Sequence, residues 1–572
     1  MIVLGISAYY HDSAAAIVRD GTIVAAAEEE RFNRIKHYCG FPTSAINFCL
    51  SYTGLTINDI DKVVFYEKPF LKFERIIRST INYAPKSLRT FLTAMPIWLK
   101  ERLNLRKTII TELRQNFGIN RINVEFSLHH LSHAAWAFYA SPFDHCAILC
   151  IDAVGENSTT SIFKASNGGI ELIASQQFPH SVGLLYSSFT YYLGFRVNSE
   201  EYKVMGLAPY GDEKSDEYRT FKQIIIQNLV DIRDNGSIRL HDNYFSFMYS
   251  DVMVKDSDWN RLFGLQRRRS NEPITTSHMN LAKAIQDITE EIIIKMAHHA
   301  LNITNEHYLC VVGGCALNCA AMGKLKKASI ADKVFVPFAP GDNGAAIGCA
   351  LHACNLYTDS IHPNISPYLG NQYIDQDIRI AIEQAGLSYE YLKDFHAISL
   401  SVAKDLSNGK IVGWFQGRME FGPRALGNRS ILADPRNPKT KDIINSKVKF
   451  RESFRPFAPA ILEDCVSEYF DINDCSPYMA STFNLKSIEL ENTAVIHIDG
   501  SARLQTVSNT DNPLFYDLIQ SFYKLTGCPL ILNTSFNVMG EPIVFSPYDA
   551  ITTFLKTGID TLVMGKFVIK KQ

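Results

Sequence analysis

The chain has 572 residues, 46% of them hydrophobic, and a formal net charge of −2. This length predicts two or more domains, because one hydrophobic core seldom serves more than about 300 residues. The near-neutral charge argues against a nucleic-acid partner, and no apolar run is long enough for a membrane span. The first residues lack a signal-peptide pattern and the 12 Cys are scattered, which together predict a cytoplasmic protein with reduced thiols.

Strand and helix patterns alternate along the first part of the chain, which predicts an α/β fold. His11 and Asp12 fall in a polar turn between the first two predicted strands, and Asp20–Gly21 is a hairpin signal before the third. Apolar residues at helical spacing predict a long helix that begins near residue 276. The predicted strands of this part are 2–6, 14–18, 22–27, 62–65, 147–152 and 308–312.

Composition changes near residue 355, where prolines, glycines and polar residues predict a linker over 356–373. We therefore expect an N-terminal domain of residues 1–355 and a C-terminal domain of residues 374–572. The second domain has strand patterns of its own, at 411–415, 530–532 and 561–564.

A pair of histidines is the most distinctive feature of the first domain. His129 and His133 are four residues apart, so on a helix both imidazoles face one point, as two ligands of one metal ion must. Asp152 ends a predicted buried strand, and Asp342 follows a Pro-Gly turn. The four side chains predict a mixed nitrogen and oxygen metal site. A partly buried polar patch is the alternative.

Glycines at two loops indicate a place where a ligand lies against the backbone. Gly313 and Gly314 follow a predicted strand and precede a helix-compatible run with Asn318, and Gly341 lies in a similar loop before Asp342. Glycine permits close approach of a ligand, and a helix N-terminus favours an anion. Two such loops favour a nucleotide cleft, although a tight strand–helix turn needs the same residues.

Cationic side chains concentrate in the second domain between residues 417 and 456. Guanidinium groups interleaved with Gly and Pro suit a polyanionic small ligand such as a triphosphate or an acyl phosphate. A solvated basic face is disfavoured by the apolar neighbours, and RNA binding is disfavoured by the neutral overall charge. The members of this cluster are Arg418, Arg424, Arg429, Lys447, Lys449, Arg451 and Arg455.

Three smaller patterns each have two interpretations. The small polar run Asn533–Ser535 follows an apolar strand pattern and either binds phosphate or ribose or caps a turn. Arg503 follows a hairpin signal that either is only a turn or brings this guanidinium to the anion site. Lys203 either contacts a ligand or is solvated.

In their order along the chain, the motifs resemble those of the ATP-dependent O-carbamoyltransferases. Members of that family carbamoylate aminoglycoside, cephalosporin, ansamycin and saxitoxin-type scaffolds and Nod factors. The resemblance covers essentially the whole chain, and the combination of motifs is more specific than any one of them. The motifs are GIS with HD in residues 5–12, AEEERF at 27–32, HHLSHA at 129–134, YKVMGLA at 202–208, GGCALN at 313–318, FGPRALGNRS at 421–430 and RESFRPFAP at 451–459.

The resemblance implies an N-terminal domain with the actin-like ATPase fold, similar to the tRNA-threonylcarbamoyladenosine transferase, and a C-terminal α+β YrdC-like domain. It implies a metal, usually iron, although two imidazoles and two carboxylates also suit Mn²⁺ or Zn²⁺. By motif matching the metal ligands are His129, His133, Asp152 and Asp342. The glycine loops, with Gly313, Gly314, Asn318 and Gly341, are expected to hold a carbamoyl adenylate in the same domain.

The C-terminal domain is expected to hydrolyse carbamoyl phosphate to carbamate and to adenylate the carbamate with ATP, accompanied by Mg²⁺. The matched phosphate-binding positions are Arg424, Lys449, Arg455 and Arg503. Asn533, Thr534 and Ser535 are expected to line the same pocket.

For transfer to a hydroxyl of a small-molecule acceptor, His11 is the first candidate for the base, because imidazole suits proton transfer near neutral pH. Family members often carry an acidic residue shortly before the matching histidine. The turn here is shorter, so Asp12, Glu200 or Glu201 is expected to stand in, and Lys36 to bind a phosphate or the acceptor.

Two other functions compete with this one. They are a tRNA threonylcarbamoyladenosine-type enzyme and a non-catalytic nucleotide-binding protein. We expect ATP, carbamoyl phosphate and the acceptor as partners, no nucleic acid and no membrane, and leave a homodimer open.

Overall fold

The computed structural model describes residues 1–97, 104–119, 122–355, 365–472 and 474–571. These residues form two compact units. The first unit comprises residues 1–24 and 39–365, and the second comprises residues 25–38 and 366–572. Residues 356–364 of the predicted linker lie outside the described residues.

The helices and strands of the chain up to residue 355 match the predicted pattern closely. The strands are β1 Ile2–Ser7, β2 Ala14–Arg19, β3 Thr22–Glu28, β4 Lys62–Phe65, β5 Val124–Phe126, β6 His145–Ile151, β7 Ser158–Ser166, β8 Gly169–Gln177, β9 Val230–Ile232, β10 Ile238–Leu240, β11 Tyr308–Val312 and β12 Lys333–Phe335. The helices are α1 Glu30–Asn33, α2 Thr43–Thr53, α3 Pro69–Asn82, α4 Leu88–Ile97, α5 Leu105–Phe117, α6 His129–Ala140, α7 Val182–Tyr192, α8 Glu201–Leu207, α9 Asp216–Ile224, α10 Asp256–Phe263, α11 Thr276–Thr304, α12 Cys319–Lys327 and α13 Asp342–Asn355.

Two five-stranded sheets with the same topology lie in the chain up to residue 355. One has the order β3-β2-β1-β4-β5 and the other the order β8-β7-β6-β11-β12. In each sheet the central strand pairs antiparallel with the strand that follows it and parallel with a later strand reached by a crossover. This repeated order is that of the actin-like fold, so the α/β class predicted from the sequence is confirmed.

Helices α6 and α13 pack against each other in the interior of the first unit. Helix α13 contacts β1, β2 and β4, and α6 contacts β6 and β11, so each helix covers one sheet. The two helices approach closely at Gly348, where an added Cβ would lie 1.9 Å from the carbonyl oxygen of Ser132. The small residue therefore sets the helix separation that positions the N-terminal turns of both helices.

The second unit is built on one mixed sheet, which agrees with the α+β class predicted for it. Its eight strands have the order β13-β22-β21-β14-β15-β20-β16-β19. The elements are α14 Asp375–Gln384, β13 Glu390–Tyr391, α15 Phe395–Ser407, β14 Val412–Phe415, β15 Arg429–Ala433, α16 Thr440–Ile444, β16 Ala458–Leu462, α17 Val466–Tyr469, β17 Thr482–Asn484, β18 Ser501–Arg503, β19 Gln505–Val507, α18 Pro513–Thr526, β20 Leu530–Ser535, α19 Pro547–Lys556, β21 Thr561–Met564 and β22 Phe567–Lys570.

Residues 25–38 belong to the second unit, whereas the sequence placed them in a continuous N-terminal domain. The Arg31 guanidinium bonds to the carbonyl oxygen of Gly422 at 2.8 Å, and Arg34 bonds to the carbonyl oxygens of Pro542 and Ile543 at 2.8 and 2.6 Å. These contacts join positions about 400 and 500 residues apart, so no local pattern predicts them. None of the described helices has the length and apolar character needed to cross a bilayer.

Candidate functional site

The first polar cluster forms where α6 begins. His129 and His133 lie one helical turn apart, both buried, with their Nε2 atoms 3.2 Å apart. The backbone N–H of His129 donates to Glu156 Oε1 at 2.9 Å, so this carboxylate satisfies a helix N-terminal donor. The sequence prediction that both imidazoles face one point agrees with this geometry.

Two carboxylates complete the cluster from other elements. Asp152 follows β6 and Asp342 begins α13, and Asp152 Oδ2 lies 3.2 Å from His129 Nε2 and 3.4 Å from His133 Nε2. Asp342 Oδ1 lies 3.6 and 3.3 Å from the same two nitrogens. The backbone N–H of Ala153 donates to Asp152 Oδ1 at 2.7 Å, which fixes the orientation of that carboxylate.

The arrangement fits a divalent metal ion. One ligand atom from each of the four side chains lies within 4.8 Å of all the others. Burial alone would lower the pKa of His129, but Asp342, Asp152 and Glu67 together raise it well above its ordinary value. Burial would likewise raise the pKa of Asp152, yet the two histidines hold it well below its usual range. The imidazoles and carboxylates therefore stabilise each other's charged forms, and a bound metal ion would displace the protons of the imidazoles.

His130 has a separate environment although it stands between the two histidines. Its Nδ1 lies 2.7 Å from Ser161 Oγ, and burial lowers its pKa to about 3. It is absent from the group of four that can hold a metal among the described residues.

The first glycine loop lies directly against the cluster. An added Cβ at Gly314 would lie 3.0 Å from Asp152 Oδ1, and at Gly313, whose φ is +92°, it would lie 2.3 Å from the carbonyl oxygen of Ile151. Asn318 accepts from the N–H of Ala321 at 3.0 Å and so caps α12. An added Cβ at Gly341 would make only ordinary van der Waals contacts, the nearest at 3.7 Å from Asn343 Oδ1.

His11 lies next to the cluster. Its Nε2 is 3.9 Å from Asp342 Oδ2, and its Nδ1 is 2.9 Å from Asp12 Oδ2. Burial opposes protonation of the imidazole, but Asp342 and Asp12 raise its pKa to about 9. Lys203, for which the sequence left a ligand contact and a solvated charge open, is buried and pairs with Glu200 at 2.6 Å.

Glu67 is a residue of this site that the sequence did not single out. It is buried, it pairs with Lys72 at 2.9 Å, and its Oε2 lies 3.8 Å from His129 Nδ1. Burial alone would raise its pKa, but Lys72 and His129 lower it to about 2. It stands behind a predicted ligand, as carboxylates often do in metal sites. The sequence offered one indication of this role, because Glu67 comes two residues after the end of the predicted strand β4.

The second polar cluster lies at one edge of the sheet in the second unit. The strand pairing brings several strand ends to this edge. The start of β15 lies opposite the end of β20, and the start of β16 pairs with β20 at Asn533. β19 is parallel to β16, so it also starts at this edge. The predicted anion-binding residues that adjoin these strand ends are Arg424, Arg455, Arg503, Asn533, Thr534 and Ser535. We call this set the cationic edge.

Three of the predicted cations already bond to the protein. Arg418 donates to the carbonyl oxygens of residues 369 and 370 at 2.6 and 3.1 Å. Arg451 donates to Asn445 Oδ1 at 2.7 Å and to the carbonyl oxygen of residue 456 at 3.1 Å. Lys449 is buried, and its ammonium contacts residues 535 and 537. These side chains hold the loops around the cationic edge.

Lys36 belongs to the second unit and not to the first. Burial, followed by the charges of Arg451, Arg455 and Lys36, lowers the pKa of Lys449 well below its ordinary value. Lys36 is therefore close enough to act on the cationic edge. The sequence predicted that Lys36 binds either a phosphate or the acceptor and left the choice between them open.

Known protein families match both parts of the chain. The family described as Carbamoyltransferase N-terminus matches residues 2–351, and the family described as Carbamoyltransferase C-terminus matches residues 403–571. The first match lies mostly in the first unit, and the second match lies within the second unit.

Relatives align over nearly the whole length. The uncharacterized protein sll1178 of Synechocystis is 42% identical over 100% of this chain and 96% of its own. The nodulation protein NolNO of Sinorhizobium fredii is 37% identical over 99% of this chain and 79% of its own, and nodulation protein U of Rhizobium tropici is 28% identical over 93% and 90%. The two matched families, joined in one chain in the same order, show that this protein belongs to the carbamoyltransferase family.

Proposed function

We propose that the protein makes carbamoyl adenylate from carbamoyl phosphate and ATP and transfers the carbamoyl group to a hydroxyl of a small-molecule acceptor. The observation that carries this proposal is that a member of the carbamoyltransferase family holds one polar cluster of distinct chemistry in each unit. Four metal-type ligands converge in the first unit, and a cationic edge lies in the second.

The activation step suits the cationic edge. Carbamate is unstable and a poor electrophile, so its adenylation needs a water-poor pocket that stabilises phosphate charge. Arg424, Arg455 and Arg503 would bind the phosphates of carbamoyl phosphate and of ATP with its Mg²⁺, and Lys36 would add a further charge. Lys449 and Arg451 would keep the surrounding loops in place.

The transfer step suits the first unit. A bound Fe²⁺, Mn²⁺ or Zn²⁺, held by His129, His133, Asp152 and Asp342, would supply electrostatic polarisation of the carbamoyl carbonyl. Gly314 lies beside the Asp152 carboxylate, which an added Cβ would crowd, and Gly313 packs against the carbonyl oxygen of Ile151. His11, oriented by Asp12, would take the proton of the acceptor hydroxyl in its neutral form, which is the minor form at pH 7 because its pKa is raised to about 9.

The division of labour can be tested with two variants and two half-reactions. With ATP, Mg²⁺ and carbamoyl phosphate we expect Arg455→Ala to lower pyrophosphate release at least about 100-fold, because a charge-stabilising group is lost. His129→Ala should keep pyrophosphate release but lose carbamoyl transfer to a panel of hydroxylated metabolites. Transfer is measured by mass spectrometry as the gain of a carbamoyl mass in the product.

The exposed His298→Ala variant is the control and should keep both steps. Equal loss of both half-reactions in the two site variants would contradict the proposed separation. A wild-type protein that binds nucleotide but releases no pyrophosphate would instead support a non-catalytic nucleotide-binding protein.

A further inference from the structure

The turn from His497 to Ser501 leads into the cationic edge. His497 N–H donates to the carbonyl oxygen of Ser501 at 2.7 Å, which closes the turn. Ser501 and Arg503 are two residues apart on β18, so their side chains leave the same face of the strand. β19 starts two residues after Arg503, at the edge already described.

Hydrogen bonds in this turn determine which nitrogen of His497 carries the proton. Ser501 Oγ lies 2.7 Å from Asp499 Oδ1 and 3.2 Å from His497 Nδ1. A hydroxyl has one hydrogen, and the shorter, charge-assisted bond to the carboxylate takes it. Ser501 Oγ must then accept from His497 Nδ1–H, which leaves Nε2 with its lone pair.

Two buried nitrogens at this place lack a partner among the described residues. They are Nε2 of His497 and Nε of Arg503. By the preceding argument the first is an acceptor, and the second is a donor in every protonation state of a protein arginine. Unpaired buried polar atoms of this kind are rare and indicate a ligand or another functional need.

We propose that His497 Nε2 and Arg503 Nε–H form the subsite that selects a carbamoyl group, with His497 accepting from the substrate –NH₂ and Arg503 donating to a neighbouring substrate oxygen. A carbamoyl group offers both a donor nitrogen and an acceptor oxygen, which complements the two unpaired atoms. This inference rests on the proposed carbamoyl phosphate activity of the second unit. Asp499 and Ser501 are positioning residues, because they act through the tautomer of His497.

The charges around the imidazole favour this role over proton transfer. Burial, Arg503 and Lys441 lower the pKa of His497 to about 4 against the opposing effect of Asp499. The imidazole therefore stays neutral and keeps its acceptor lone pair at pH 7. A base this weak is poorly suited to take a proton at neutral pH.

The test compares carbamoyl phosphate with acetyl phosphate, in which a methyl group replaces the –NH₂. A site built to bond a substrate N–H rejects the analogue that lacks it by several orders of magnitude. We expect His497→Leu to lower kcat/KM for phosphate release from carbamoyl phosphate about 100-fold. The same variant should keep kcat/KM for acetyl phosphate within about threefold of the wild-type value. His497→Gln, which keeps an acceptor oxygen, should recover part of the preference.

The exposed His396, which pairs with Asp517, provides the matched control, and His396→Leu should keep the wild-type ratio. Equal loss of kcat/KM on both phosphates in His497→Leu would show a merely structural role and overturn the inference, as would an unchanged ratio of the two kcat/KM values.

Calorimetry measures the binding of each phosphate to the wild type and to His497→Leu, and so tests the preference independently of activity. If the wild type releases no phosphate or pyrophosphate, the proposed function fails, and the inference is then decided by binding: it is overturned if His497→Leu does not change the preference for carbamoyl phosphate over acetyl phosphate.

Discussion

Single atoms decide how the metal-type cluster is held. Asp152 receives the Ala153 N–H on one oxygen and faces both histidines with the other. Gly314 leaves just enough space beside the first oxygen, since an added Cβ would lie 3.0 Å from it. A side chain at residue 314 would therefore press on a carboxylate whose direction matters for metal binding.

Gly314→Ala should weaken metal binding about tenfold, the lower end of what disturbed outer contacts of a metal ligand cost. Metal titration of the dialysed protein, followed by elemental analysis, measures this change. Gly168→Ala is the control, because its added Cβ would make an ordinary 3.6 Å contact in an exposed turn. Equal metal affinity in the two variants would show that the carboxylate tolerates the contact.

Whole elements place the second cluster. A strand pattern in the sequence predicts β14, β20 and β21, but their neighbours in the sheet are distant in the chain. The pairing of β15 with β20, and of β16 with β20 and β19, brings four strand ends to one edge. Lys449 ties the end of β20 to the helical segment before β16, with contacts to Ser535 Oγ at 3.2 Å and Asn537 Oδ1 at 2.8 Å.

Lys449→Ala should lower the free energy of unfolding of the second unit by about 1–3 kcal/mol, because buried acceptors lose their donor. Urea unfolding, with hydrogen exchange in peptides from residues 366–571, locates the effect. Lys447 is exposed two residues earlier, so Lys447→Ala should change stability little. If Lys449→Ala were as stable as the control but bound carbamoyl phosphate more weakly, Lys449 would be a ligand residue, as its motif position implies.

At the scale of the molecule, a short N-terminal segment is part of the second unit. Residues 25–38 follow two strands of the first unit's sheet and then contribute α1 to the second. Arg31 is buried there between Glu28 and Glu30, with Nη1 at 2.6 Å from Glu30 Oε1. Since that segment also contains Lys36, the second unit depends on residues near both ends of the chain.

Arg31→Ala should destabilise the second unit by about 3–5 kcal/mol, because two buried carboxylates lose their shared cation. Hydrogen exchange should rise in residues 366–571, and pyrophosphate release should fall. Arg78 pairs with Glu74 at 2.7 Å on the surface, and Arg78→Ala should have no measurable effect. Unchanged exchange in Arg31→Ala would mean that residues 25–38 are dispensable for the unit.

Local patterns were enough to predict much of the fold. The bounds of β4, β11 and β21 are as predicted, and α11 begins at Thr276 where its pattern starts. Hydrophobic periodicity predicts such elements because neighbouring residues share one buried face. The four-residue spacing of His129 and His133 also predicts their convergence, since one helical turn separates them.

The sequence by itself determined the element types, the helical histidine pair and the combination of motifs that indicates the carbamoyltransferase family. Tertiary structure alone decided that Glu67 stands behind His129, which predicted cations hold loops, and which unit contains residues 25–38. It also placed His497 beside Arg503 and left an acceptor and a donor without partners. The physical reason is that these outcomes depend on strand register and helix packing between distant segments, and no spacing along the chain records such contacts.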